Sequence, residues 1–173
     1  MHSKNSGFTL IELLVTMAVT GILLTAGVPS LNSSVKKNRM VTQLNGLTGA
    51  LNLARSEAVK RGRTVTLCRR NADGTDCNDS GDWQDGWIVF VDLDSDDAVD
   101  ANELIVAREP LEGDQTFIFW TGSANRIAYN SQGRAPDSTG VFNICDDRGA
   151  SHAYGIGISN TGRAQKAATP TCS

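Results

Sequence analysis

Residues 7–31 read Gly7-Phe8-Thr9-Leu10-Ile11-Glu12-Leu13-Leu14-Val15-Thr16-Met17-Ala18-Val19-Thr20-Gly21-Ile22-Leu23-Leu24-Thr25-Ala26-Gly27-Val28-Pro29-Ser30-Leu31. From Phe8 to Leu31 the one charge is Glu12. An apolar run of this length suits a membrane-crossing helix, because roughly 20 such residues span the hydrocarbon of a bilayer. A carboxylate inside lipid costs at least a few kcal/mol unless it finds a partner or a proton. In the first turns of a helix the positive end of the dipole lowers that cost without removing it. Glu12 therefore reads as a charge kept for an external partner rather than one tolerated near the interface.

The helix is expected to continue past Pro29, with Gly21, Gly27 and Pro29 as points where it can bend or open locally. Beyond them Met40, Leu44, Leu47, Leu51, Ala54 and Ala58 are spaced by alternating fours and threes, which places them on one helical face. Lys36, Lys37, Arg39, Arg55, Lys60 and Arg61 lie off that stripe, and Gly62 is a natural stop. At 1.5 Å per residue, residues 8–61 would make a rod of about 80 Å. From Thr64 the pattern changes to strands: Thr64–Arg70, Trp87–Val91, Leu104–Ala107, Thr116–Trp120, Arg126–Tyr129, Val141–Cys145 and Tyr154–Ser159. Gly, Asn, Asp and Ser clusters separate them, as turns require. A long helix followed by an antiparallel sheet is an α+β arrangement. No internal repeat or low-complexity linker is visible.

Several motifs carry a resemblance to a known family. Gly7-Phe8-Thr9-Leu10-Ile11-Glu12, after a short leader Met1–Ser6 containing Lys4, resembles the processing and assembly motif of type IV pilins and type II secretion pseudopilins. A secretory signal would have a shorter apolar core ending in a small-residue cleavage site. Residues 50–62, Ala50-Leu51-Asn52-Leu53-Ala54-Arg55-Ser56-Glu57-Ala58-Val59-Lys60-Arg61-Gly62, and then Val65-Thr66-Leu67-Cys68, are similar to the FimT/FimU branch of the GspH/FimT family. Trp83 and Gly86-Trp87-Ile88-Val89-Phe90-Val91-Asp92 resemble its next block.

The resemblance implies a pilin-like fold, with a long N-terminal helix packed on an antiparallel β head. Its divisions are a prepilin leader at 1–7, a transmembrane or filament-core half-helix at 8–31, an amphipathic half at 32–62 and a head at 63–173. It implies that a prepilin peptidase cuts after Gly7 and methylates the amino terminus of Phe8. Glu12 would then meet the terminal amine of a neighbouring subunit. The implied partners are other minor and major pilins. The implied location is the bacterial inner membrane in a single pass, with the head in the periplasm, and then the pilus at the cell surface. Family members act near filament tips in assembly priming, and some FimT-type members bind DNA in natural transformation. The alternative within the family is a GspH-like minor pseudopilin of type II secretion, acting in protein export.

The chain has 173 residues and a net charge of −3, which hides a segregation. Residues 1–70 carry ten Lys/Arg against Glu12 and Glu57; residues 73–114 carry fourteen Asp/Glu against Arg108. Residues 115–173 carry five Lys/Arg against three Asp. Such asymmetry marks surfaces that meet each other or a polyanion. The four cysteines, Cys68, Cys77, Cys145 and Cys172, fit no zinc pattern with His2 and His152. In an extracytoplasmic head they favour disulfides. Of the three pairings open to four cysteines, Cys68–Cys77 and Cys145–Cys172 join neighbours in sequence and are expected.

Two constellations remain. Asp92, Asp94, Asp96, Ala98, Asp100 and Glu103 fall at positions 1, 3, 5, 7, 9 and 12 of a calcium loop. Asp97 stands where that loop has glycine, and the flanks read as strands rather than helices. The plainer reading is a solvated hairpin tip whose acids guard a sheet edge, and no cofactor is required. At the other end, Gly162-Arg163-Ala164-Gln165-Lys166 resembles the Gly-Arg-x-Arg element associated with DNA binding in FimT-type pilins. Gly162 and Arg163 match, while Gln165 replaces the second arginine with Lys166 beside it. Arg163, Lys166, Arg134 and Arg126 could neutralise phosphates of double-stranded DNA if they share a surface, in a sequence-blind and salt-sensitive way; the plainer reading is a solvated turn. Trp83, Trp87 and Trp120 read as packing residues more than as base-stacking platforms. His152 has no catalytic companion, and no nucleophile elbow or phosphate-cradling glycine loop is present, so the chain reads as a non-enzyme.

Overall fold

The computed structural model describes residues 7–172 except 95, 101 and 111–114, and only the backbone of 24–30. The first element is α1, Leu10–Arg61, 52 residues long. Its start follows from Thr9 and Glu12, which form a capping box. The Thr9 N–H donates to Glu12 Oε2 at 3.0 Å, and the Glu12 N–H donates to Thr9 Oγ1 at 3.3 Å. Its end follows from Gly62, whose φ of +64° suits a residue without Cβ. The Arg63 N–H then reaches back to the Ala58 carbonyl, at 3.3 Å.

The chain divides into two compact units, residues 1–38 and 39–173. In the first, Phe8, Leu10, Ile11, Leu13, Leu14, Val15, Met17, Val19, Ile22 and Leu23 are all exposed. Among the described residues, no helix is long and apolar enough to cross a membrane.

The second unit begins on the amphipathic part of α1. Met40, Leu47, Leu51, Ala54 and Ala58 are fully buried there, as the stripe requires, and Leu44 packs partly buried beside them. Eight strands follow: β1 Val65–Arg69, β2 Trp87–Val91, β3 Leu104–Arg108, β4 Phe117–Trp120, β5 Ile127–Tyr129, β6 Gly140–Cys145, β7 Tyr154–Ile158 and β8 Ala164–Lys166. They form two antiparallel sheets of four strands each, in the orders β3-β2-β1-β5 and β4-β6-β7-β8. The single sheet expected from sequence is thus two. β8 stands where a solvated turn is expected, because Ala164-Gln165-Lys166 has no apolar alternation; the strand is held by its pairing with β7.

One core joins α1 to both sheets, through Val65, Leu67, Val89 and Val91 of the first and Phe142, Ile144, Ile156 and Ile158 of the second. A smaller cluster, Cys68, Ile88 and Phe90, lies on the other face of the first sheet beneath Cys77, Val99 and Ala107. β2 is therefore buried along its whole length, which explains its unbroken apolar run. Trp83 meets Phe142 edge-on, with ring centroids 4.8 Å apart, so this tryptophan is packing rather than platform. Disulfides join Cys68–Cys77 and Cys145–Cys172.

Candidate functional site

Glu12 is not alone in its helix. Its Oε2 accepts both the Thr9 N–H and the Thr9 hydroxyl, each at 3.0 Å. The carboxylate thus satisfies a backbone donor that the helix start leaves open. Sequence reasoning sought its partner outside the chain, although Thr9-Leu10-Ile11-Glu12 carries the capping-box pattern. Gly7 and Phe8 precede the helix, and Phe8 is exposed.

The acidic residues between β2 and β3 gather in part. Asp92, Asp94 and Asp96 each present a carboxylate oxygen within 4.8 Å of the others. The Asp94 carboxyl is pushed up, first by desolvation and then by Asp96, Glu103 and Asp100. Asp97 takes the left-handed conformation at φ +61°, supplying the sharp turn expected of glycine. Glu103 does something else. It is buried, its Oε1 accepts the Leu93 N–H at 2.6 Å, and its Oε2 accepts the Asp100 N–H at 3.1 Å. Both oxygens brace the loop backbone, and Asp100 stands outside the three-acid group. This departs from a calcium loop, where position 12 gives both oxygens to the ion.

The basic candidates separate. Arg126 makes a two-pronged ion pair with Asp79, Nε to Oδ1 at 3.0 Å and a terminal nitrogen to Oδ2 at 3.1 Å. It also donates to the Asp97 carbonyl. This pairing holds the Asp79 carboxyl below its usual range. Arg126 is thereby tied to the acidic segment and drops out of a phosphate-binding group. Lys166 lies on β8 opposite Ile156, at the rim of a shallow groove lined by Leu44, Asn45 and Thr48.

Arg134 and Arg163 sit instead on two adjoining turns of one design. Asn130-Ser131-Gln132-Gly133-Arg134 follows β5, and Ser159-Asn160-Thr161-Gly162-Arg163 joins β7 to β8. In the first, the Asn130 N–H donates to the Arg134 carbonyl at 2.9 Å and the Gly133 N–H to the Asn130 carbonyl at 2.8 Å. In the second, the Ser159 N–H donates to the Arg163 carbonyl at 3.3 Å and the Gly162 N–H to the Ser159 carbonyl at 2.7 Å. A side-chain oxygen at the first position accepts the arginine N–H in each, at 3.0 Å from Asn130 and 3.3 Å from Ser159. Both glycines have positive φ, +69° and +74°, which is why glycine precedes each arginine.

The turns nest against each other. The Ala135 N–H donates to the Asn160 carbonyl at 3.2 Å. From α1, Arg55 reaches both: its Nε donates to the Gly133 carbonyl at 2.9 Å and a terminal nitrogen to the Thr161 carbonyl at 3.3 Å. Arg134 and Arg163 are exposed, while Arg55 is half-buried. Sequence reading missed both the repeated Gly-Arg turn and the role of Arg55. The signal was present in the matched spacing of Asn130 to Arg134 and Ser159 to Arg163.

The profile of the family described as Type II transport protein GspH matches residues 43–162. The chain belongs to this family. The matched region carries the second part of α1, the strands β1 to β7 and the Asn130–Arg134 turn, and ends at Gly162, just before Arg163 and β8. A second profile, the prokaryotic N-terminal methylation motif, matches residues 2–28. Among solved structures, the type IV minor pilin FimU of Pseudomonas aeruginosa (strain PAO1) is similar in fold. One crystal form gives a TM-score of 0.59 at 19% identity, covering 75% of this chain and 89% of that one. Another gives 0.56 at 20% identity, covering 73% and 90%. A search of curated proteins gives no match. This GspH-family chain is thus a pilin-like structural subunit and not an enzyme.

Proposed function

We propose that the chain is a minor pilin of a type IV pilus, anchored by its N-terminal helix before assembly and acting near the filament tip. The observation that carries this reading is the exposure of the apolar side chains from Phe8 to Leu23, within the matched N-terminal methylation motif. So much uncovered apolar surface requires lipid or the helices of neighbouring subunits. A prepilin peptidase would cut after Gly7 and methylate Phe8, and Glu12 would contribute to subunit assembly. The inner membrane holds the chain in a single pass, with the disulfide-braced head in the periplasm. Other minor pilins and the major pilin are its partners. Arg134 and Arg163 give the head a contact for double-stranded DNA during uptake, through phosphates rather than bases.

The GspH description favours a second reading, a minor pseudopilin acting in type II protein export. A clean deletion in the source organism separates them. Loss of surface pili and transformation, with export intact, supports the pilus reading; lost export with normal pili overturns it. Mass spectrometry of the mature chain tests the processing step. A first residue other than methylated Phe8 would contradict the filament reading in either system.

A further inference from the structure

We propose, resting on the DNA reading above, that Arg55 is the positioning residue of a two-turn clamp in which Arg134 and Arg163 hold the phosphate backbone of double-stranded DNA as one unit. The clamp is read from the contacts, not from charge alone. Both turns carry the same hydrogen-bond pattern, with glycine in the left-handed conformation immediately before the exposed arginine. They dock through Ala135 and Asn160, and Gly162 leaves no room for a side chain against the Gly133 carbonyl. The two turns therefore share a hydrogen bond, a close backbone contact and the Arg55 side chain.

Arg55 ties the pair to α1. A guanidinium offers Nε and its terminal nitrogens in a rigid planar fork, so one side chain can satisfy carbonyls on two different turns. The single ammonium of lysine, on a flexible stem, is a poor substitute for that fork. Arg55 therefore acts through the turns and not on the ligand. Ordering a loop at the moment of binding costs affinity, and turns ordered in advance avoid that cost. Two arginines on one fixed support then engage two phosphates together, where arginines on independent loops would engage them one at a time.

The experiment measures binding of the full-length chain in detergent micelles to a fluorescent DNA duplex across a salt series. The variants are R134A, R163A, the double variant, R55Q and R55K, with a melting curve for each. Wild type is expected to bind at low salt, with affinity falling steeply as salt rises. R134A and R163A should each weaken binding about tenfold and flatten the salt slope by about one. The double variant should lose little more than either single variant, because each arginine matters only when the other is in place. R55Q should show a similar tenfold loss and a flattened slope while remaining folded at the assay temperature, and R55K should recover little of it.

Wild-type affinity and slope in folded R55Q would overturn the role of Arg55. Losses that simply multiply in the double variant would overturn the clamp, and this arm holds even if R55Q does not fold. Absence of DNA binding by wild type at low salt removes the DNA reading itself, and the clamp with it.

Discussion

Gly162 sits against the carbonyl oxygen of Gly133 so closely that a Cβ at residue 162 would stand 2.1 Å from that oxygen. The contact is backbone to backbone, so no side chain can swing away to relieve it. Gly162 also holds a φ of +74°, which L side chains rarely adopt. Gly162→Ala is therefore expected to cost about 2–3 kcal/mol, from steric overlap together with backbone strain. Gly49 is the control: it is an exposed helical glycine with nothing within 4 Å of an added Cβ. Gly49→Ala should raise stability by up to about 1 kcal/mol. Melting curves of the two variants should move in opposite directions.

Tyr129 should make the head sensitive to alkali. The residue is fully buried, its hydroxyl has no hydrogen-bond partner among the described residues, and burial pushes its pKa to about 12. The folded value lies above the unfolded one, near 10. The linked stability is thus fully present below pH 10 and is lost as pH rises toward 12, by up to about 3 kcal/mol. Tyr129→Phe should flatten this loss between pH 10 and 12 and cost little at pH 7. An equally steep loss in the phenylalanine variant would refute the assignment.

The loop between β2 and β3 should depend on Glu103. Its carboxylate accepts the N–H groups of Leu93 and Asp100, and its removal leaves two backbone donors without that partner. Glu103→Ala is expected to cost about 1–3 kcal/mol. Amide exchange should rise at Leu93 and Asp100 ahead of the rest of the head. Uniform exchange across the head would speak against a local brace.

At the other end, Thr9→Val keeps the shape of the side chain and removes the hydroxyl that caps α1. The capping box then loses the acceptor for the Glu12 N–H, at a cost of about 1 kcal/mol. In micelles the amides from Leu10 to Leu13 should exchange faster, while those of the head stay unchanged.

How much of this was legible in the sequence varies by element. The helix stripe was, since burying one face at a period of 3.6 leaves a pattern that Met40, Leu47, Leu51, Ala54 and Ala58 display openly. β2 was, because burial on both faces demands apolar residues at every position. β8 was not, since three polar-leaning residues at a sheet edge bury too little to leave a pattern. The division into two sheets was also hidden, because strand order is set by pairings between distant residues. In the site, the exposed charges of Arg134 and Arg163 were visible, but the partners that sort them were not. Arg126 looked equally available until Asp79 met it across 47 residues of chain. Arg55 looked like a solvated helix residue, because its acceptors lie 78 and 106 residues away. Glu12 is the opposite case: its partner lies three residues away, in a pattern open to reading.

The bridge between Cys145 and Cys172 gives the head an unequal response to tension. It closes a ring of 27 residue steps around β7, β8 and the Arg163 turn. A pull between the amino terminus and residue 172 must pass through the sulfur bridge, so that ring stays out of the stretched path. At about 3.4 Å per residue, the oxidised head should extend roughly 90 Å less than the reduced one when pulled apart. A filament under load would thus keep this arginine-bearing loop from paying out even if the sheets gave way.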